Sequence, residues 1–249
     1  MLWTSIMRLT VRRATPLVVC WLLCTRLGAA GFSDSETWAF TPASDTFSKN
    51  ALLDLRYLNE TVAGEHGFIQ MSADGDFLRG DGQPIRFWAV NTSVQDASGQ
   101  NLEAHARFLA KRGVNMARFH GFMQPRDKDS AVTDVEISAR NSCWRLVAAM
   151  KKAGIYTTIS PYWANTVEIR STWNVLGGDK QSTHGLLFFD PTLQRGYKAW
   201  LRQLYAETNT ETGIPLAQDP AVAIIQLQNE DSLLFWTTDR MGAAQRRAL

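Results

Sequence analysis

Four short apolar runs, each closing on polar or aromatic residues and each separated from the next by a helix-length segment, constrain this chain more than any other feature. The last of them, AVAIIQLQNEDS from Ala221 to Ser232, is rich in β-branched residues, follows Asp219-Pro220 and stops at Asn229 and Glu230. That pattern predicts a strand of a buried parallel sheet. The earlier runs are Ile85 to Val90 ending at Asn91, Asn115 to Gly121 (NMARFHG), and Ile155 to Trp163 (IYTTISPYW). Between the first two, Leu102, His105, Phe108 and Leu109 recur at helical spacing before Gly113. Between the next two, Cys143, Leu146, Val147 and Met150 share a face before Lys151, Lys152 and Gly154, where a basic last turn and a glycine end a helix. Asp190-Pro191 then offers an N-cap and a first helical residue, with Leu193, Tyr197, Trp200, Leu201, Leu204 and Tyr205 on the buried face. Strand and helix in alternation form a parallel α/β sheet with right-handed crossovers.

The segment before these runs is of other kinds. Residues 1–30 place Arg8, Arg12 and Arg13 ahead of the apolar LVVCWLLC and end on small residues, the layout of an export signal cleaved after Ala30. The apolar part is shorter than the roughly 20 residues needed to span a bilayer. Secretion or periplasmic export without a lasting membrane anchor is the expectation. The signal holds four basic residues and no acidic ones, so its removal takes the formal charge from +2 to −2 and leaves no reason to expect a nucleic-acid partner. Cys143 is then the last cysteine left, expected as a buried, inert thiol. Residues 31–84 are expected to form an extension: irregular chain with one short helix, then a β-hairpin marked by Asp74-Gly75 and Asp81-Gly82 between short apolar runs.

In parallel α/β sheets, sites gather at the carboxyl ends of the strands. Those ends hold Asn91, then Arg118 and His120, then Tyr162 and Trp163, then Asn229 and Glu230. Each has a plain reading: His120 a hydrogen-bonded rim residue, Arg118 an ion-pair partner, Trp163 core, Asn91 a turn, and NEDS a polar turn opening a helix. Their joint occurrence on four successive strands favours a site. The types suit sugars, because aromatic faces stack on pyranose rings and a carboxyl can protonate a leaving-group oxygen. Alternation turns Gln226, Gln228 and Glu230 inward and puts Ile225 and Leu227 under the helices. His66, His105, His120 and His184 lack ligand spacing, and neither a phosphate loop nor a GxSxG elbow is present, so no metal and no cofactor are expected.

Taken together, DGQPIRFWAVN, RGVNMARFHG and the fourth run ending QNE resemble the retaining (β/α)₈ glycoside hydrolases of the cellulase family, family 5 and its clan, over roughly Gly67 to Trp236. The resemblance implies that Glu230 is the general acid/base, protonated at rest, and that Asn229 binds the sugar beside the scissile bond. It places Arg118 and His120 in the same cleft and makes Tyr162 and Trp163 subsite contacts, on a poly- or oligosaccharide substrate. A retaining enzyme also needs a second carboxylate about 5 Å away as nucleophile. In this family that residue sits on the seventh strand, and the sequence stops before a fifth. Residues 85–249 are therefore expected to be the first half of a TIM-type barrel, truncated after about four βα units, catalytically incompetent alone and prone to associate through open edges. The other reading is a non-catalytic carbohydrate-binding protein that uses the strand-end aromatics.

Overall fold

The computed structural model describes residues 45, 47–48, 50–92, 99–164, 168–177 and 182–249. The chain divides into Met1–Thr46 and Phe47–Leu249, and the architecture below belongs to the second unit. The expected export signal lies outside the described residues.

Four parallel strands form the sheet: β3 (Ala89–Asn91), β4 (Met116–His120), β5 (Tyr156–Ser160) and β6 (Val222–Ile225). Their spatial order is β3-β4-β5-β6, the order of the chain, without the reversal of a doubly wound sheet. Each strand simply adds beside the last, which is how an α/β barrel is wound. Ahead of them, β1 (Gln70–Met71) and β2 (Phe77–Leu78) make an antiparallel hairpin. Asp74-Gly75 supplies its turn, with Gly75 at φ +88°.

The crossover helices are α1 (Gly99–Lys111), α2 (Ile137–Lys152) and α3 (Pro191–Tyr205). Two short helices follow β6, α4 (Trp236–Asp239) and α5 (Ala243–Ala248). One face of the sheet, with Ala117, Phe119, Ile159 and Val222, packs under the helices with Leu109, Val147, Leu193, Trp200 and Leu204. The other face is apolar only at its foot. There Met116, Tyr156 and Ala221 meet Ile69, Ile85 and Phe87 of the hairpin region. Strand alternation thus leaves the upper part of this inner face to Arg118 and His120. Cys143 is fully buried in the helix-side core, and burial pushes its thiol up, far from a reactive range.

The predicted first strand is split between two sheets. Its beginning extends the hairpin, since Pro84 bridges Leu78 and Ile85 N–H donates to the Phe77 carbonyl at 3.0 Å. The parallel ladder starts only at Ala89. In the gap the Asn115 side chain stands in for a backbone partner, accepting from Trp88 N–H at 2.7 Å and donating to the Arg86 carbonyl at 2.8 Å.

The predicted placement of Ile225 and Leu227 under the helices is not found. They are 45% and 65% exposed. Among the described residues, α3 reaches this part of the chain through the Tyr197 hydroxyl, which donates to the Leu227 carbonyl. The helices after β6 turn instead to the loop that precedes α3, where Gln245 packs on Gly177 and Thr238 on Gly185. A sheet whose edge strand carries such apolar side chains is an association surface. Light scattering on the purified chain is expected to report dimers or larger species, and a monodisperse monomer would contradict this.

Asp190 caps α3 as expected: its Oδ1 accepts from Leu193 N–H at 2.9 Å and its Oδ2 from Leu176 N–H at 2.9 Å. Both oxygens are used and the residue is buried. Asp190→Ala is expected to cost about 2 kcal/mol, the upper part of the N-cap range, in urea unfolding. A change under about 0.5 kcal/mol would mean that water replaces the cap.

Candidate functional site

Arg118 is the hub of the strand ends. Its Nη2 donates to Gln226 Oε1 at 2.9 Å and to Asn229 Oδ1 at 2.8 Å, its Nε reaches Gln226 Oε1 at 3.2 Å, and its Nη1 donates to Asn91 Oδ1 at 3.3 Å. One guanidinium therefore ties β3 and β4 to the chain leaving β6. Its planar fork suits several acceptors at once, which an ammonium does not. Burial lowers its pKa, and the negative charge of Glu230 opposes that, so the group stays cationic.

His120 is next on the same face. Its Nδ1 lies 2.9 Å from Ser160 Oγ, the neighbour that the β4–β5 register places opposite it, and 3.4 Å from Arg118 Nη2. Burial and the Arg118 charge lower its pKa, while Ser160 and Glu230 act to raise it. The net direction is downward, so the ring is neutral at neutral pH. It also belongs to an aromatic wall: the Trp163 ring is 6.2 Å from His120 and 6.0 Å from Phe122, and Phe122 is 5.2 Å from His120. Trp163 is held there by an isolated parallel bridge to Asn229, beyond the end of the β5–β6 ladder.

Glu230 closes the group. It is exposed, and its backbone sits at φ +48°, a left-handed conformation that costs a residue with a side chain on the order of 1 kcal/mol. The chain turns there, five residues past the end of β6, and the carboxylate acts electrostatically on both Arg118 and His120. A cation, a neutral imidazole, three amides, an aromatic wall and a carboxylate now share one mouth. Such a group can hold sugar hydroxyls and move a proton.

Of the residues singled out from sequence, Asn91, Arg118, His120, Trp163, Asn229 and Glu230 come together. Tyr162 does not. It is 2% exposed, stacks 6.4 Å from Trp200 of α3 and donates to Thr183 Oγ1, so it lies on the helix side of the sheet. The reason is strand alternation, which cannot aim two consecutive residues at one cleft. Ser160 and Phe122 were missed; the alternation that places His120 inward, carried across to the next strand, would have found Ser160. The histidines also have an unforeseen neighbourhood. Glu60, Glu65 and His66 bring ligand-type atoms within 4.8 Å of one another, yet the Glu60 carboxylate is taken up by His66 Nδ1 at 2.6 Å and by the Tyr156 hydroxyl at the foot of the sheet.

His105, His120 and His184 are all held below the ordinary value of 6.5 by burial. As pH falls through 6.5 the unfolded chain takes up protons that the folded chain refuses, so stability is expected to drop from there through the folded pKa values. The urea midpoint should be lower at about pH 5.5 than at about pH 7.5, and an equal or higher one would contradict the assignment.

No family model matches the chain. Two curated plant proteins do, both from Arabidopsis thaliana. Mannan endo-1,4-beta-mannosidase 2 is 26% identical over 185 residues, which is 67% of this chain and 41% of that protein. Mannan endo-1,4-beta-mannosidase 5 is 25% identical over 209 residues, 75% of this chain and 45% of that one. The chain thus spans less than half the length of these relatives. Among solved structures, the endo-1,4-beta-mannanase from Rhizomucor miehei superposes with a TM-score of 0.47 at 14% identity, covering 66% of this chain and 48% of that one. The chain thus combines sequentially ordered parallel strands and a strand-end site around Arg118 and Glu230 with a partial sequence likeness to two plant mannan endo-1,4-beta-mannosidases.

Proposed function

We propose that the strand-end site is the acid/base half of a retaining hydrolase of β-linked mannan, with Glu230 as the group that protonates the departing glycosidic oxygen. The carrying observation is Glu230 held at φ +48° over the Arg118, Asn229 and Gln226 network, beside the wall of His120, Phe122 and Trp163. Asn229 and Asn91 would take sugar hydroxyls, and Trp163 the face of a ring. The mannosidase relatives support the mannan assignment. Residues 1–30 as an export signal, 31–84 as an extension and 85–249 as the barrel portion belong to the same reading, with the protein acting outside the cytoplasm.

The chemistry needs a nucleophile on the opposite face of the sugar. Glu230 is the carboxylate whose charge bears on both Arg118 and His120, whereas Asp231 faces away into the fold. Azide can serve as that nucleophile in a test of Glu230. With Glu230 in its protonated form and an aryl β-mannoside as substrate, azide attack at the anomeric carbon breaks the bond to the aryl oxygen, that oxygen takes the Glu230 proton, solvent restores the proton, and α-mannosyl azide and the phenol result. Formation of that product by the 249-residue chain, slowed about 100-fold or more in Glu230→Gln, is expected. Equal rates in the two proteins would remove Glu230 from the role. A second reading, non-catalytic sugar binding through the same aromatic wall, predicts oligosaccharide binding without any azide product.

A further inference from the structure

We infer that Asp231 is the positioning residue for Glu230: its buried carboxylate ties the segment after β6 to the loop ahead of α3 and so holds the left-handed turn that faces Glu230 toward Arg118 and His120. This rests on the strand-end site described above, though not on any turnover by it.

Asp231 is 7% exposed, whereas Glu230 beside it is exposed. Consecutive residues normally leave a strand on opposite sides, and the positive φ at Glu230 sharpens that divergence. The Asp231 Oδ1 accepts from Gly185 N–H at 3.3 Å within the buried interior. Gly185 itself is at φ +66°, and a Cβ there would lie 3.0 Å from Thr238 Cα, so this loop is pressed against α4. Burial raises the pKa of this carboxyl, and Thr237, Gly185 N–H and His184 offset that rise only in part. His184 in turn packs edge to face with Trp236 at 5.3 Å. Asp231 is therefore where three pieces of chain meet: the Asn229-Glu230 turn, the 183–185 loop and α4. Burying a carboxylate costs free energy unless it is bonded, and here the Gly185 N–H bond to Oδ1 joins the 183–185 loop to the turn, while Thr238 of α4 donates to the Ser232 carbonyl just beyond it.

His120 is a reporter that separates positioning from mere folding. The Glu230 charge raises its pKa, and Asp231 is not among the groups that bear on it. The nuclear magnetic resonance titration of His120 is measured in the parent chain, Glu230→Gln, Asp231→Ala and Asp231→Asn. Glu230→Gln should lower the His120 midpoint. Asp231→Ala should lower it by a similar amount, while Asp231→Asn, which still accepts from Gly185, should leave it near the parent value. If Glu230→Gln does not move His120, the site geometry fails. If it does and Asp231→Ala, folded, titrates like the parent, the positioning assignment alone is overturned. Asp231→Ser, too short to reach Gly185, substitutes should the alanine variant not fold. Unfolding of both with a folded asparagine variant would make Asp231 a residue of the fold and would also overturn the assignment.

Discussion

Arg118→Ala is expected to lower stability by about 2 to 4 kcal/mol and to abolish oligosaccharide binding, the largest effect of any single change in the cleft. The guanidinium serves three acceptors from two segments at once, Asn91 on β3 and Gln226 and Asn229 after β6, and each charge-assisted bond contributes more than a neutral one. Its loss strands half-buried amide oxygens and frees the unregistered stretch between Ile225 and Asn229, which otherwise has few ladder bonds. Lysine in its place keeps the charge without the fork and is expected to recover less than half of the lost stability. Urea unfolding with a binding titration checks both. An alanine variant that matches the parent in each would mean that the network is incidental.

Gly154→Ala is expected to be comparably severe, about 3 kcal/mol or more, and far from the site. Gly154 follows α2 at φ +72°, and a Cβ there would fall 1.9 Å from the Glu60 carbonyl oxygen. The obstacle is backbone, so no side chain can rotate away. The chain near Glu60 would have to move, and with it the Glu60 carboxylate that binds Tyr156 and His66 beneath the sheet. Thermal unfolding of the purified variant, or its failure to accumulate as soluble protein, reads the effect; a melting temperature within a few degrees of the parent would contradict it.

The frame of this protein is written in local signals. Gly113, Gly154, the Asp190-Pro191 pair and the two Asp-Gly turns end or begin elements where local chemistry requires, so order, type and parallel winding could be read without coordinates. The cleft was legible for a related reason, since strand ends of a parallel sheet converge and polar residues there stand out against apolar runs. What escaped depended on contacts distant in sequence. The run from Ile85 divides between two sheets because Asn115, 27 residues beyond Trp88, supplies the bonds in between. Ile225 and Leu227 stay exposed while α4 and α5 pack on Gly185 and Gly177, contacts that exist only once the loop is folded. Tyr162 was placed in the cleft by its aromatic character, although alternation beside Trp163 argued against it.

The central claim is that Asn91, Arg118, His120, Trp163 and Asn229 form one sugar-binding mouth with Glu230 at its rim. Titration of a β-1,4-linked manno-oligosaccharide into the isotope-labelled chain tests it most directly. Saturable shifts confined to the Arg118 and Trp163 side-chain N–H groups, the His120 ring and the backbone from Asn229 to Asp231, lost in Trp163→Ala, are the predicted result. No saturation at millimolar sugar, or shifts centred on Tyr162 and Trp200 instead, would contradict it.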